Sequence, residues 1–134
     1  MSKYAISFLS HEYQGFEYQE RAMDVIERIK QTVAENSVVL FMKGTPQFPM
    51  CGFSSRSVQA LKACGAHIHA VNVLEDPDVR SNLPHFSNWP TFPQLFISGE
   101  LIGGCDIMVD LQASGELEKL IAEAQSAPTD YKAG

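Results

Sequence analysis

Cysteine is scarce in this chain of 134 residues, with three at positions 51, 64 and 105. An odd number at these spacings makes no disulfide framework and no ordinary zinc module, so reduced thiols are the natural reading. Basic residues are also few. Ten of them against sixteen acidic ones give a formal charge of −6, which argues against nucleic acid or an anionic membrane as the main partner. No apolar run approaches the roughly eighteen residues that crossing a bilayer requires. The first twenty residues hold no arginine and no long apolar core, and they carry Glu12, Glu17 and Glu20. Neither a secretory signal nor a transit peptide fits them, and the expected compartment is the cytoplasm. Internal repeats and low-complexity tracts are absent. What remains is 45% hydrophobic and 19% charged, the composition of one globular domain with a single core.

The chemistry concentrates in Lys43-Gly44-Thr45-Pro46-Gln47-Phe48-Pro49-Met50-Cys51-Gly52-Phe53-Ser54. The run before it, Val38 to Met42, is continuously apolar and reads as a strand buried on both faces. Gly44, Pro46 and Pro49 break it. Beyond Cys51, the spacing of Phe53, Val58 and Leu61, with Ala60 and Ala63 between, predicts a helix that stops at Cys64-Gly65. Cys51 therefore stands at a helix N-terminus, where unsatisfied N–H groups and the helix dipole favour an anion. Lys43 adds a second cation. A depressed thiol pKa and a nucleophilic, metal-ready sulfur follow. A redox pair would carry its second cysteine three residues on, but Ser54 stands there, so no two-cysteine cycle can form at this site.

Around this segment the elements alternate. Ala22, Ile26, Ile29 and Val33 form one face of a first helix that ends near Asn36-Ser37. Ile68, Ala70, Val71 and Val73 suggest a second strand, on which His67 and His69 would share a face. Asp76-Pro77 opens a short helix with the aspartate near its cap. Leu95 to Ile97 and Leu101-Ile102 flank a glycine turn at Ser98-Gly99-Glu100. Two helical pieces, Asp106 to Leu111 and Glu116 to Ala124, close the chain and divide at Ser114-Gly115. This order predicts an α/β fold with a mixed four-stranded sheet flanked by helices. The folded domain is expected over residues 21–126, between a poorly ordered N-terminal extension, 1–20, and a flexible tail, 127–134. Met23 offers an alternative start.

The segment from Lys43 to Ser54 resembles the active-site loop of monothiol glutaredoxins, whose signature is Cys-Gly-Phe-Ser after Lys-Gly-Thr-Pro. Asn88-Trp89-Pro90-Thr91-Phe92-Pro93-Gln94-Leu95 and Gly103-Gly104-Cys105-Asp106 follow in the family's order and spacing, and the match runs from about Ile26 to Ile121. The resemblance implies the thioredoxin fold and a glutathione site. Lys43 and Arg80 would hold the glycyl carboxylate, although either could be a solvated surface charge. Pro93 would be the cis-proline of the fold, presenting the Phe92 backbone to an extended peptide; an ordinary trans turn is the alternative. Gly103-Gly104 allows a sharp turn into the helix start at Cys105-Asp106. N–H groups there would bind the γ-glutamyl carboxylate and Asp106 the ammonium, a role compatible with an N-cap. The backbone of Cys105 would touch glutathione while its side chain packs. Cys64 reads as a small buried hydrophobe at a helix end, with a resolving role as the alternative. Phe53 and Trp89 could line the site, and core packing accounts equally well for Trp89. His11, His67, His69 and His85 form no ligand pattern.

Two functions compete for the Cys51 thiolate. A 2Fe-2S cluster needs four ligands and this chain offers one exposed candidate. The resemblance implies that two Cys51 side chains and two glutathione thiols complete the set in a cluster-bridged homodimer. Such a dimer would deliver to iron-sulfur acceptor apoproteins, with BolA-like proteins as heterodimer partners. The alternative is glutathione-dependent thiol–disulfide exchange, in which Cys51 attacks a glutathionylated substrate and a second glutathione resolves the mixed disulfide. The resemblance implies that the loop from Thr45 to Pro49, an insertion-like feature of the family, shifts the bound thiol toward cluster ligation and so favours the carrier.

Overall fold

In the computed structural model, which describes residues 23–126, the apolar run forms β1 (Val38–Met42) with all five residues buried. Burial on both faces is what its unbroken hydrophobicity demands. Val38, Leu40 and Met42 enter one core and Val39 and Phe41 the other, as the two-residue period of a strand dictates. Helix α1 (residues 23–35) presents Val25, Ile29 and Val33 to the second core. Val25 heads that face, and Ala22 lies outside the described residues, as do the expected extension at 1–20 and the tail at 127–134.

The other elements are α2 (Gly52–Ala63), β2 (His69–Asn72), α3 (Pro77–Ser87), β3 (Gln94–Ile97), β4 (Glu100–Gly103), α4 (Cys105–Ser114) and α5 (Glu116–Ser126). The four-stranded sheet has the order β2-β1-β3-β4. β2 runs parallel to β1, and β3 and β4 are antiparallel to their neighbours. Residues of α2, α4 and α5 cover the face of Leu40, while those of α1 and α3 cover the face of Phe41. On the second face the Phe41 and Phe96 rings meet edge to face at 5.6 Å, a favoured aromatic geometry. This is the mixed sheet with helices on both sides that the element order predicts.

The caps match the expected signals. Gly65, at φ 75°, ends α2 after the Cys64 cap, and the Asp76 side chain accepts the Val79 N–H before Pro77 opens α3. The hairpin turn is the pair Ser98-Gly99, with both residues at positive φ, the requirement of a type I′ turn that follows strand twist. Glu100 already belongs to β4. The second strand is shorter than its apolar residues suggest. It begins at His69, so His67 and His69 share no strand face, and Val73 follows it with its N–H still donated to Met42 O at 2.9 Å. Among the described residues no helix is long and apolar enough to cross a membrane.

Strand register gathers the site. Met42 pairs with Asn72, Phe41 with Gln94 and Leu95 with Gly103. The exits of β1, β2 and β4 and the entry to β3 therefore lie at one end of the sheet, and the three motifs of the sequence emerge there together.

Candidate functional site

Lys43 leaves β1 and the chain folds into a tight loop before α2. Met50 donates its N–H to Lys43 O at 2.9 Å, Thr45 and Phe48 exchange backbone bonds at 3.2 and 3.1 Å, and Gly44 bridges to Pro49. Gly44 sits at φ 93°, and a methyl group there would stand 2.5 Å from Phe48 O and 2.7 Å from Met50 N. Only glycine permits so close a return. The Gly44 N–H is held by the Asn72 side-chain oxygen at 2.9 Å, which ties the loop to the end of β2. The loop leaves Phe48 and Met50 largely exposed, and Phe53 joins them on the first turn of α2.

Cys51 is the N-cap of α2, in extended conformation at φ −157° and ψ 142°, as expected for the residue that precedes a helix. Its thiol is held below its ordinary pKa chiefly by the Ser54 N–H, against partial desolvation, with further help from the Phe53 N–H, the Ser54 hydroxyl and the Lys43 charge. The helix N-terminus and Lys43 thus act as the sequence suggests. The Ser54 hydroxyl is the contributor that sequence reasoning missed. Ser54 is fully buried, and its Oγ also accepts the Lys43 N–H at 3.1 Å. Its only signal in the sequence is its place three residues after Cys51, where the absence of a thiol draws attention away from the hydroxyl.

A cleft of about 820 Å³ opens beside Cys51, which lines it. It brings together every residue expected at the site: Lys43, Cys51, Arg80, Phe92, Pro93, Gly104, Cys105 and Asp106. Phe53 and Trp89 line it as well, and Pro84 of α3 and Ile107 of α4 join the wall without any signal in the sequence. The Phe92–Pro93 peptide is cis. Arg80 and Asp106 are exposed and Lys43 is half-buried. Among the described residues none of these three charges has an ion pair, since the bridges found join Arg28 to Asp76 and Lys30 to Glu27. Two cations and an acid lining one cleft, with the acid in the first turn of a helix whose N-cap makes no side-chain bond, suit a ligand that carries separated carboxylates and an ammonium.

The other two cysteines differ: Cys105 packs as expected, whereas Cys64 is half-buried rather than buried, because the end of α2 puts only part of it against the core. Cys105 opens α4 and is buried. Cys64 caps the far end of α2 and packs against the core, where burial and then the Glu118 charge raise its pKa. Thirteen residues of helical rise separate it from Cys51, about 20 Å, far beyond the reach of a disulfide. His67, His69 and His85 are exposed, His11 lies outside the described residues, and no group of three potential metal ligands occurs among those described. The chain's own contribution to a metal centre at the cleft is thus one half-exposed sulfur, which fits a cluster only if other donors come from outside.

Comparison with known proteins agrees with this geometry. The Glutaredoxin family model matches residues 38–102. Glutaredoxin 4 of Escherichia coli (strain K12) is 53% identical over 98 residues, which span 73% of this chain and 85% of that protein. Among solved structures, reduced poplar apo GrxS14 is 48% identical with a TM-score of 0.66, covering 75% of this chain and 93% of its own. A buckwheat glutaredoxin–glutathione complex is 25% identical with a TM-score of 0.71, covering 81% and 97% respectively. The architecture shared with these structures is the thioredoxin fold.

Proposed function

The chain belongs to the monothiol glutaredoxin family, and from that premise we propose that it binds glutathione and carries a 2Fe-2S cluster for iron-sulfur assembly and transfer. The observation that carries this reading is the isolation of Cys51. It is a half-exposed thiol of lowered pKa on an open cleft, with Cys105 buried beside it and Cys64 at the other end of α2. A glutathione site next to a lone thiolate supplies the second donor that the chain lacks, and a second copy doubles the pair to four. Lys43 and Arg80 would take the glycyl carboxylate, and the Phe92 backbone before Pro93 would take the extended main chain. N–H groups at Gly104, Cys105 and Asp106 would take the γ-glutamyl carboxylate, with the Asp106 side chain on the ammonium. That a related glutaredoxin is solved with glutathione supports the assignment.

The partners follow from the same reading. The exposed apolar side chains of Phe48, Met50 and Phe53 around Cys51 suit contact with another protein surface. That surface belongs to a second protomer in the homodimer, to a BolA-like protein in a heterodimer, or to an acceptor apoprotein. A cluster with half its ligands on exchangeable small molecules can be handed on, and the cytoplasm is the expected place of work.

The test is reconstitution of the protein with ferrous iron, sulfide and glutathione, read by visible absorption and by sedimentation. A glutathione-dependent 2Fe-2S dimer is expected from the wild type and none from Cys51→Ser. Equal cluster formation in that variant, or without any thiol, would remove the assignment. One observation favours a second activity. A thiol of lowered pKa beside a glutathione site can attack a glutathionylated disulfide, leaving as products the reduced substrate thiol and a Cys51–glutathione disulfide that a further glutathione resolves. The closed loop between Thr45 and Pro49 is the reason we place this activity second.

A further inference from the structure

Gln94 stands where the fold has every reason to put an apolar side chain. It opens β3, whose four residues are all buried, and it is itself fully buried opposite Phe41. A buried amide is tolerated only when its hydrogen bonds are made. Both bonds of its Nε2 go to one short segment, to Trp89 O at 2.9 Å and to Thr91 O at 3.1 Å. Its Oε1 has no partner among the described residues. The two carbonyls it holds belong to a segment of the cleft wall, since Trp89, Pro90 and Thr91 all line the cleft that Cys51 also lines. That wall also touches the next one. A methyl group at Gly104 would stand 3.4 Å from Trp89 Nε1 and 3.4 Å from Pro93 O, so the indole and the Pro93 carbonyl lie directly over the start of α4. One buried side chain therefore fixes the 89–93 segment, and through the indole it sets the spacing between that segment and the α4 N-terminus.

We infer that Gln94 is a positioning residue for the glutathione cleft: it never touches the ligand but holds the Trp89–Pro93 wall at the distance from Gly104–Asp106 that an extended tripeptide requires. This rests on the glutathione reading above. Binding energy is sensitive to such placement, because a wall displaced by about 1 Å loses alignment with every polar group opposite it.

The chain has a single tryptophan and four tyrosines, so fluorescence excited beyond the tyrosine absorption band reports Trp89 alone and gives a readout independent of binding. Gln94→Met keeps the volume and removes both donors. At temperatures well below its melting point it should show red-shifted, more readily quenched Trp89 emission, with glutathione affinity of the apo protein reduced about tenfold or more by calorimetry. Ile121→Val, a trimmed core residue on the opposite face of the sheet, serves as the stability control and should change neither. If Gln94→Met does not fold, Gln94→Asn carries the test, since its amide is one methylene too short to reach both carbonyls. Wild-type emission together with wild-type affinity overturns the inference, and so does altered emission with unchanged affinity, which would leave Gln94 a structural residue only. Absence of glutathione binding by the wild type is a different result. It overturns the glutathione reading and with it the binding role of Gln94, whatever the emission shows.

Discussion

The Lys43 N–H donates to the buried Ser54 hydroxyl at 3.1 Å, so the residue that leaves β1 is bonded to the residue that completes the first turn of α2. The loop between them is latched at both ends, and the latch is the same hydroxyl that helps to hold the Cys51 thiol below its ordinary pKa. With one lone pair occupied by Lys43, the hydroxyl proton remains available for the sulfur. The serine that replaces a resolving cysteine thus supports the thiolate it cannot oxidise.

Ser54→Ala should separate these two roles from mere volume. The Lys43 N–H would be left in a part-buried position without its acceptor, a loss of about 0.5–1.5 kcal/mol in urea unfolding. Alkylation of Cys51 at neutral pH should slow as well, with its pH profile moved toward that of an ordinary thiol. An unchanged profile would show that the backbone N–H groups of Phe53 and Ser54 hold the thiolate unaided.

Opposite pH dependences are expected for Cys51 and Cys64. The folded pKa of Cys51 is lowered, so its ionised form favours the folded state. That stability is present above the ordinary thiol pKa and is lost as pH falls through the lowered value. Cys64 is shifted up, so its contribution is present below the ordinary value and is lost as pH rises through the raised one. Unfolding measured against pH for Cys51→Ser and Cys64→Ser should resolve the two, with the Cys51 difference growing from neutral toward alkaline pH. Cluster yield should be nearly unchanged in Cys64→Ser; a loss like that of Cys51→Ser would make Cys64 a ligand.

Removing a charge at Lys43, Arg80 or Asp106 should weaken glutathione binding to the apo protein. Each contact is charge-assisted but open to water, so the expected loss is about 0.5–1.5 kcal/mol, or roughly two- to tenfold in Kd. The largest effect belongs to Lys43, the half-buried member of the three. Titration calorimetry with Lys43→Ala, Arg80→Ala and Asp106→Ala checks this, and unchanged affinity in all three would put glutathione elsewhere.

Much of this site is legible in the chain because its signals are local. An unbroken apolar run, a proline after an aspartate, a turn with glycine and a cysteine ahead of a helical pattern each state their own conformation, and β1, α2, α3 and the hairpin form where those signals stand. What sequence could not reveal is set by neighbours distant along the chain. Nothing around Gln94 says that its amide will face two carbonyls in the interior, and nothing around Ser54 says that its hydroxyl will meet the end of β1. Trp89 shows the limit most clearly. Of its two readings, site lining is the one realised: the residue lines the cleft with its indole nitrogen buried, and it joins neither of the two core clusters. His67 lies outside the strand because edge strand β2 begins where its pairing with β1 begins, at Val39 and His69, a boundary that periodicity does not mark.

Turnover of a small glutathione mixed disulfide, coupled to glutathione and its reductase, should be poor even though Cys51 has a lowered pKa. Ionisation is required for attack, but the sulfur must also meet the disulfide in line while a second glutathione is held to resolve the intermediate. The loop controls that alignment. It is bonded within itself between Thr45 and Phe48, closed by Gly44 and Pro49, and tied to Ser54 and Asn72 at its stem, so it adds a rigid ledge beside the thiol. Shortening it between Thr45 and Pro49 while keeping Gly44 should raise the turnover rate and lower cluster stability together, because one displacement of the bound thiol serves ligation and hinders attack. If the unaltered chain instead turns over as fast as a dithiol glutaredoxin assayed beside it, the ledge has no such effect. The oxidoreductase reading then takes the place of the carrier.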